Sequence, residues 1–289
     1  MNYIYHLIIM IGIYTILGTS LNLLVGYTGI LSFTHGLMYG IGAYALAIFT
    51  TKIGAGFLGG MLAGFIIAFV LGSFVMKVLQ RLKGDYLILA FFGVQLGGMG
   101  IIHNWIPVTD GPFGIYNIPK PSVGSLAASS YFEFLIVVWA VVFIVYFISI
   151  RLVHSQFGII LRSIREDEIV THAWGKNVSY FKCIVFGFGS AMASLAGGLY
   201  ASYSTYIHPS NFGLDVSILV FALIVIGGLG AQVGPLLGSL LVVLMPEFFR
   251  IIGLPYSIAA FVQQLLYGVL LVSLLAFRPE GLVGKFKLG

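Results

Sequence analysis

The chain has 289 residues, of which 60% are hydrophobic and only 8% are charged, and its formal net charge is +5. Since about 25% of the residues in a soluble domain are charged, the composition excludes an ordinary soluble protein and predicts that lipid surrounds most of the chain. The basic residues stand at the ends of apolar runs, which argues against nucleic-acid binding. A single cysteine, Cys183, excludes an internal disulfide framework and Cys-x-x-Cys sites.

The apolar runs are long and continuous and lack a period of two, so they predict membrane-spanning helices and not a barrel. One helix needs about 20 apolar residues to cross a bilayer. About nine spans are predicted, at 4–25, 29–50, 57–76, 86–103, 131–150, 180–203, 214–228, 234–250 and 258–277. The glycine-containing stretches 26–34 and 227–235 are candidates for helix breaks inside the membrane. We therefore expect an all-α integral membrane protein, a polytopic bundle forming a single transmembrane domain over 1–289.

The positions of the basic residues predict how the bundle is oriented. On the predicted spans, eleven basic residues fall on one side, namely Lys77, Arg81, Lys83, Arg151, Arg162, Arg165, Lys176, Lys182, Arg278, Lys285 and Lys287. The other side receives Lys52, Lys120 and Arg250. Because cytoplasmic loops carry the excess of Lys and Arg, the first side is predicted to be cytoplasmic. The C-terminus is then on the cytoplasmic side of the cell membrane and the N-terminus on the outer side. The first span is expected to stay in the mature protein.

The longest predicted cytoplasmic connection, about 151–179, contains the unusually charged stretch SIREDEIVTHAWG at 163–175. Its four consecutive charges are Arg165, Glu166, Asp167 and Glu168. Asp167 and Glu168 suit the first turn of a helix, and Gly175 suits its end. The apolar positions between them are Ile169, Val170, Ala173 and Trp174. The pattern predicts a short helix that docks onto a partner; the alternative is a solvated loop that only sets the topology.

Glycine accounts for 38 of the 289 residues, and many recur at a spacing of four. Small residues at this spacing share one face of a helix and let a neighbouring helix approach closely. The longest series is Gly56, Gly60, Gly64, Ala68 and Gly72, and shorter ones are Gly36 and Gly40, Gly93 and Gly97, and Gly230, Gly234 and Gly238. We expect tight helix packing at these positions; the alternative is a substrate path along bare backbone.

Two G-x-x-G stretches, at 26–29 and 227–230, lie in the predicted breaks, one in each half of the chain. Interrupted spans in corresponding halves mark binding sites in transporters. The residues predicted to line a translocation path are Asn22, Gly26, Gly29, Ser32, His35, Gly227, Gly228 and Gly230. For His35, a hydrogen-bonded structural role is the alternative.

The sequence lacks the motifs of common catalytic sites, including the GxxxxGK[ST] phosphate loop, HExxH and GxSxG. No two histidines stand four residues apart, and the carboxylates fall near predicted span ends, so neither a helical metal site nor the buried carboxylate relay of a proton-coupled carrier is indicated. We therefore expect no catalytic residue, metal or cofactor in this chain, and an energy source in a partner. A stand-alone channel or secondary carrier is the alternative; a membrane enzyme would need a clustered catalytic set.

Seven blocks in a fixed order are distinctive of this sequence: LNLLVGYTGILSFTHGLMYGIGAY (21–44), RLKGDYLILA (81–90), NWIPVTDGPFGI (104–115), the run from SQFGIILRSIREDEIVTHAWG to LAGGLYA (155–201), HPSNFG (208–213), VIGGLGAQVGPLLGSLL (225–241) and FRPEGLVG (277–284). Through these blocks, nearly the whole chain resembles the LivM-type membrane subunits of branched-chain amino-acid ABC importers. The chain departs from the family in SFTHG where SLGHA is usual, in TDG where TGG is usual, and in starting after a span that the family often has. The sister LivH-type subunits are less similar.

The resemblance implies that 163–175 is the coupling helix that docks into an ATPase. Its coupling residues would be Arg165, Glu166, Asp167, Glu168, Ile169, Ala173, Trp174 and Gly175. The implied partners are a paralogous LivH-like permease subunit, two ABC ATPase subunits that bind ATP and Mg, an external substrate-binding protein and the lipid bilayer. The implied solute is a branched-chain amino acid; since relatives that import urea share much of the pattern, urea or another small polar solute is the alternative.

Overall fold

The computed structural model describes residues 2–123, 126–127, 130–251, 265, 268–269 and 281–283, and most of this part is helical. The helices are α1 (Asn2–Thr28), α2 (His35–Thr51), α3 (Phe57–Leu79), α4 (Asp85–Asn104), α5 (Ile106–Thr109), α6 (Tyr131–His154), α7 (Gln156–Glu166), α8 (Glu168–Ala173), α9 (Val178–Ser204), α10 (Leu214–Gly227) and α11 (Gly234–Ile251). Two 3-10 turns lie at Gly111–Phe113 and Pro209–Phe212. The short strands β1 (Ser122–Val123) and β2 (Leu126–Ala127) form an antiparallel pair.

Within the described residues, six helical segments are long and apolar enough to cross a membrane. They are α1, α3, α4, α6, α9 and the segment Pro209–Gly227, which joins a 3-10 turn to α10. The apolar part of α11 is shorter, and α2 has 17 residues because it begins at His35 and not at residue 29 as predicted. The predicted span 258–277 lies almost entirely outside the described residues. The prediction of a helical membrane protein is thus confirmed, whereas the count of about nine spans is not.

The helices differ in how much of their surface the chain itself covers. The spanning windows of α1 and α9 are 78% and 72% buried, whereas those of α3, α4 and α6 are at most 28% buried. Helix α1 packs against α6, α9 and α11, and α9 also packs against α2 and α3. The helices α1, α2 and α9 therefore form the centre of the bundle, and α3, α4 and α6 present apolar side chains outward, as expected for helices that face lipid.

The chain runs back and forth, so the charged connections gather at two ends of the bundle. Gln80, just after α3, lies beside Cys183 near the start of α9, and α7 and α8 lie at this same end, which we call the basic end. Its basic residues are Lys77, Arg81, Lys83, Arg151, Arg162, Arg165, Lys176 and Lys182. At the opposite end, Lys52 forms an ion pair with Asp110 at 2.8 Å, and Lys120 follows in the same connection.

The glycine series on α3 packs as predicted, except at its first member. A Cβ atom added to Gly60 would lie 3.2 Å from the Cα atom of Leu46, and one added to Gly64 would lie 3.4 Å from the Cα atom of Gly42. Gly72 faces Ser190 of α9 in the same way. In contrast, an added Cβ atom at Gly56, Gly93 or Gly97 would meet nothing within 4 Å among the described residues. The series therefore joins α3 to α2 and α9, and Gly93 and Gly97 are not explained by packing within the described chain.

Replacing Gly64 with leucine is expected to lower the yield of assembled protein severalfold. The larger side chain would force α3 away from α2, and overpacking of this kind typically costs about 1–3 kcal/mol. The matched control is Gly59→Leu on the exposed side of the same helix, where an added Cβ atom would meet only Ala55, at 3.5 Å. Yield after size-exclusion chromatography measures the effect; equal yields for the two variants would contradict it.

Candidate coupling and translocation site

Helix α8 begins and ends at the residues that its sequence predicts. The Asp167 carboxylate caps it, since Oδ1 accepts hydrogen bonds from the backbone N–H groups of Ile169 at 2.8 Å and Val170 at 3.1 Å. Trp174 follows the last turn, and Gly175 has a φ of +75°, a left-handed conformation that glycine adopts without strain. The charged cap and the glycine stop therefore define a helix of only six residues.

One side of α8 exposes an apolar surface at the basic end of the bundle. Ile169 is 75% exposed and Trp174 is 71% exposed, and Val170 and Ala173 are exposed beside them. We call these four residues the α8 face. A compact group of exposed large apolar side chains is typical of a protein-interaction site, and tryptophan is enriched among residues that dominate binding energies.

The other side of α7 and α8 is fixed to the bundle. The Arg165 guanidinium of α7 donates a hydrogen bond to the backbone carbonyl oxygen of Gly26 in α1. The Glu168 carboxylate of α8 forms an ion pair with Lys182 of α9 at 2.6 Å. Buried Thr171 donates to the Ser163 hydroxyl at 3.0 Å and so links the two short helices. The α7–α8 segment is therefore anchored to both central helices, α1 and α9.

These contacts divide the predicted coupling residues into two groups. Glu166, Asp167 and the α8 face are exposed, whereas Arg165 and Glu168 are half-buried and directed toward α1 and α9. Burial lowers the pKa of the Arg165 guanidinium, and the neighbouring Glu166 carboxylate acts in the opposite direction. Arg165 and Glu168 thus connect the segment to the bundle and do not belong to its exposed apolar surface.

The two predicted breaks, 26–34 and 227–235, exist, but both are shorter than predicted. Helix α1 continues through Gly26 to Thr28, and the non-helical residues are 29–34. The second break, residues 228–233, follows the end of α10 at Gly227. Gly29 and Gly230 have φ values of +74° and +71°, so a side chain at either position would strain the backbone.

The second break packs directly against the end of α1. The Asn22 side chain accepts a hydrogen bond from the Gly230 N–H and donates one to the Ala231 carbonyl, both at 2.9 Å. The Tyr27 hydroxyl donates to the Gly230 carbonyl at 2.7 Å. A Cβ atom on Gly26 would lie 2.6 Å from the Gly230 backbone nitrogen, so only glycine allows this approach. We call Asn22, Gly26, Tyr27, Gly230 and Ala231 the break junction.

Tyr27 and the C-terminal end of the described chain belong to this site but were not among the residues predicted from the sequence. Tyr27 lies in the apolar run LNLLVGYTGIL and is almost fully buried. A tyrosine hydroxyl inside an apolar run usually has a hydrogen-bond partner, and this position in the sequence is the signal that could have identified it. Near the end of the chain, the Leu282 N–H donates to the Ile226 carbonyl at 3.1 Å, and Gly281 lies against Gly228. The break junction therefore has two further neighbours, Arg165 at Gly26 and this C-terminal turn next to Gly228.

His35 and Ser32 lie away from the break junction, at the start of α2. The Gly36 N–H donates to the Ser217 hydroxyl at 2.8 Å, and the Leu37 N–H donates to the Gln95 side-chain oxygen at 2.7 Å. His35 is only 1% exposed, and neither of its ring nitrogens has a hydrogen-bond partner among the described residues. The Ser32 hydroxyl bonds to Thr34 at 2.9 Å. Thus α2 begins inside the bundle, with its first amides capped by side chains from α4 and α10.

Gln95 and Ser217 are therefore functional candidates that were not predicted from the sequence. A glutamine in the middle of an apolar run is costly unless it is hydrogen-bonded, and that is the signal which could have indicated Gln95. Its amide nitrogen also donates to the Phe212 carbonyl at 2.9 Å, which ties the 3-10 turn before α10 to α4. As for metals, the described part of the chain contains no cluster of three or more His, Cys, Asp or Glu residues suited to bind one.

A family model described as "Branched-chain amino acid transport system / permease component" matches residues 3–275. The chain belongs to this permease family. It is 32% identical to the high-affinity branched-chain amino acid transport system permease protein LivM of Salmonella typhimurium, over 94% of this chain and 68% of that protein. It is 26% identical to the probable LivM permease of Methanocaldococcus jannaschii, over 94% of this chain and 90% of that one.

The LivH permease of Salmonella typhimurium is 25% identical, over 94% of this chain and 91% of its own length. The greater identity to LivM confirms the prediction of a LivM-type branched-chain amino-acid permease, which is a multi-pass membrane protein. No solved structure shows significant similarity to the chain.

Proposed function

We propose that this chain is the non-catalytic membrane subunit of an ATP-driven importer that moves branched-chain amino acids into the cell. The observation that carries the proposal is the α8 face: an exposed apolar surface on a short helix whose opposite side is bonded to α1 and α9. A surface built in this way can receive a force from a partner and transmit it to the centre of the bundle. The LivM relatives are named as permeases of a branched-chain amino acid transport system, which supports the solute class.

The partners follow from the same reasoning. A LivH-like paralogous subunit would complete the permease, since both LivM and LivH relatives align with most of this chain. Two ABC ATPase subunits would bind ATP and Mg, so this chain itself needs no cofactor. One of them would dock onto the α8 face, and the other would dock onto the LivH-like subunit. An external substrate-binding protein would deliver the solute, and no nucleic acid takes part.

The proposed mechanism uses the two anchors of the α7–α8 segment. When ATP binding closes the ATPase subunits, α8 moves with them, and Arg165 and Glu168 pass the movement to α1 and α9. Because Arg165 bonds to Gly26, the displacement reaches the break junction directly. Such coupling requires that the outward-open and inward-open states make different contacts with the ATPase.

The proposed translocation path passes the break junction and the start of α2. Non-helical backbone is tolerated at membrane depth only where protein or a water-filled cavity satisfies its polar groups, and helices that begin inside a membrane often form solute sites in transporters. In this structure, the side chains of Asn22 and Tyr27 form hydrogen bonds with the backbone N–H and carbonyl groups of Gly230. The side chains of Ser217 and Gln95 accept hydrogen bonds from the first backbone N–H groups of α2. Opening the path would exchange some of these bonds for contacts with water or the solute.

The basic end is proposed to face the cytoplasm of a cell membrane, with the N-terminus outside and the C-terminus inside. In a Cys183→Ser background, Phe113→Cys should react with a membrane-impermeant thiol reagent in intact cells, and Lys176→Cys should react only after the cells are opened. Both positions are exposed, so access and not burial decides the labelling. The reverse pattern would invert the proposed orientation.

The function itself is tested on the assembled complex of both permease subunits, the ATPases and the binding protein. Leucine, isoleucine or valine should stimulate ATP hydrolysis, and uptake into vesicles should require ATP. Stimulation by urea or another small polar solute would change the solute assignment. Uptake by the permease pair alone, without ATPase subunits, would instead identify a channel or secondary carrier.

A further inference from the structure

Asp215 is an acidic residue that lies at membrane depth. Gln95 is at the midpoint of α4, about 15 Å from either end of that helix, and its amide donates to the Phe212 carbonyl at 2.9 Å. Asp215 follows Phe212 closely in the chain and belongs to the first turn of α10. The rest of α10, about 18 Å long, separates it from the break junction. Asp215 therefore lies well inside the part of the bundle that the spanning helices define.

The Asp215 side chain is exposed at this depth. In the described part of the chain, no group forms a hydrogen bond or an ion pair with its carboxylate. The positive end of α10 favours a negative charge there, but it does not shield the carboxylate from its surroundings. Acidic side chains at membrane depth are costly in lipid and face protein or water instead. The surface that carries Asp215 is therefore not a lipid-facing surface.

This surface extends from α10 across the first break to α4. Ile218 lies one turn after Asp215 and is 44% exposed, and Phe221 lies one turn further. The Phe33 ring, in the first break, is 5.3 Å from the Phe221 ring and stacks at 4.6 Å on Phe92 of α4. Exposed residues of α4 continue the surface beside Phe92. We call the whole surface the α4–α10 face, made of Phe92, Gly93, Leu96, Gly97, Asp215 and Ile218.

The α4–α10 face differs from the outward faces of α3 and α6. In the middle of those two helices the exposed residues are large and apolar, such as Ile66 and Ile144. On α4, exposed Gly93 and Gly97 instead leave the backbone bare. Small residues four apart on a membrane helix allow another helix to approach closely. Together with the charge of Asp215, this favours a second protein on the face over lipid.

The charge also indicates which protein this is. In a symmetric pair of two copies of this chain, each copy would bring its own Asp215 to the shared surface, and two carboxylates in apolar surroundings repel each other. A paralogous subunit avoids this repulsion, because it presents the same kind of surface with different side chains. The LivH relative aligns with 94% of this chain. A LivH-like subunit would therefore place an equivalent helix against α10.

We propose that the LivH-like subunit docks on the α4–α10 face and that Asp215 pairs there with a lysine or arginine of that subunit. The identity of the partner rests on the proposed function, whereas the need for a protein with a positive charge at this depth does not. Because Phe33 joins the first break to the same surface, the translocation path near the start of α2 would border the interface between the two subunits.

The surface is tested by photo-cross-linking in membranes that contain the complete complex, without ATP or solute. On irradiation, p-benzoylphenylalanine in place of Leu96 should give an adduct between this chain and the LivH-like subunit, identified by mass spectrometry. Ile144 of α6 is the matched position, since it is 52% exposed against 61% for Leu96, and it should give at least tenfold less of that adduct. An adduct of Leu96 with lipid alone or with a second copy of this chain, or no adduct, would overturn the proposed surface.

The charge pair is tested by the amount of LivH-like subunit that copurifies with the tagged chain. Asp215→Asn leaves the partner's cation without a counter-charge and should lower this amount about tenfold or more, whereas Asp215→Glu keeps the charge and should retain the subunit. Asp85→Asn is the matched control, because Asp85 is also exposed in the first turn of a helix but lies at the basic end. Equal retention by Asp215→Asn and Asp85→Asn would overturn the pair.

The same membranes separate this proposal from the proposed function. ATP-dependent leucine uptake by the unaltered complex is measured in them as well. Absence of uptake counts against the proposed function and leaves the cross-linking result standing, whereas uptake without a Leu96 adduct counts against the α4–α10 face alone. If Asp215→Asn also lowers the yield of this chain, the Leu96 adduct decides the proposal, because that variant keeps Asp215.

Discussion

Replacing Trp174 with alanine is expected to weaken the binding of the ATPase subunits by roughly thirtyfold. Tryptophan at the centre of an interface commonly contributes about 2 kcal/mol or more, and 1.4 kcal/mol corresponds to a tenfold change in affinity. The Trp174 side chain is 71% exposed at the end of α8, so its removal leaves no cavity in the bundle. Copurification of the ATPase, together with solute-stimulated hydrolysis, measures the effect.

The matched control for this prediction is Trp105→Ala. Trp105 is also an exposed tryptophan, 53% accessible, but it lies at the opposite end of the bundle, between α4 and α5. Both variants lose the same side chain, so a difference between them reports the location of the docking surface. If Trp174→Ala retains full ATPase binding and stimulation, α8 is not the docking helix. If Trp105→Ala releases the ATPase instead, the proposed orientation of the bundle is wrong as well.

Charge reversal of Glu166 and Asp167 is a weaker test of the same surface, because the Asp167 side chain has a structural role. It caps α8 through two backbone amides, and loss of an N-cap typically costs about 1 kcal/mol. A lysine at this position would therefore change both the charge and the helix. The apolar α8 face can be altered without affecting the cap, which makes Trp174 the more informative position.

The long helices and α8 could be predicted from the sequence because each is encoded by a local pattern of residues. Continuous apolar runs predicted α3, α4, α6 and α9 to within a few residues, and Asp167 and Gly175 predicted the limits of α8. In contrast, residues 29–34 are mostly apolar or small, and the sequence predicted them both as the start of the span 29–50 and as part of a candidate break. They stay non-helical because contacts with other helices hold α2 with its start at His35, where Ser217 and Gln95 cap the first amides.

The contacts that build the site join residues far apart in the chain, and hydropathy and spacing do not reveal such pairs. Asn22 bonds to Gly230, and Tyr27 bonds to the same residue, across about 200 positions. The glycine spacing of four likewise predicted close packing but not its partner. On α3 the neighbour is α2 or α9, whereas Gly93 and Gly97 of α4 have no close neighbour among the described residues. Only the folded arrangement separates these cases.

The link between Arg165 and Gly26 leads to the second large expected effect. Replacing Arg165 with methionine removes the guanidinium and keeps an unbranched apolar stem beside Gly29, where the arginine Cγ atom packs. A hydrogen bond from a charged group is worth about 1.5–3 kcal/mol. We expect ATPase binding and basal ATP hydrolysis to persist, because the α8 face is intact, and ATP-dependent uptake to fall about tenfold or more, because movement of α8 no longer reaches α1.

Arg162→Met is the matched control for this change. Arg162 lies one turn earlier on α7, and its guanidinium reaches the Val153 carbonyl at 3.5 Å, a weak contact close in the chain and not a bond to α1. Both variants lose one positive charge at the basic end, so a nonspecific electrostatic effect would lower uptake equally in each. A selective loss of uptake in Arg165→Met, with ATPase still bound, means that force passes through the α1 anchor. If uptake persists, Glu168 and Lys182 carry the coupling through α9; if the ATPase dissociates, Arg165 acts at the docking surface itself.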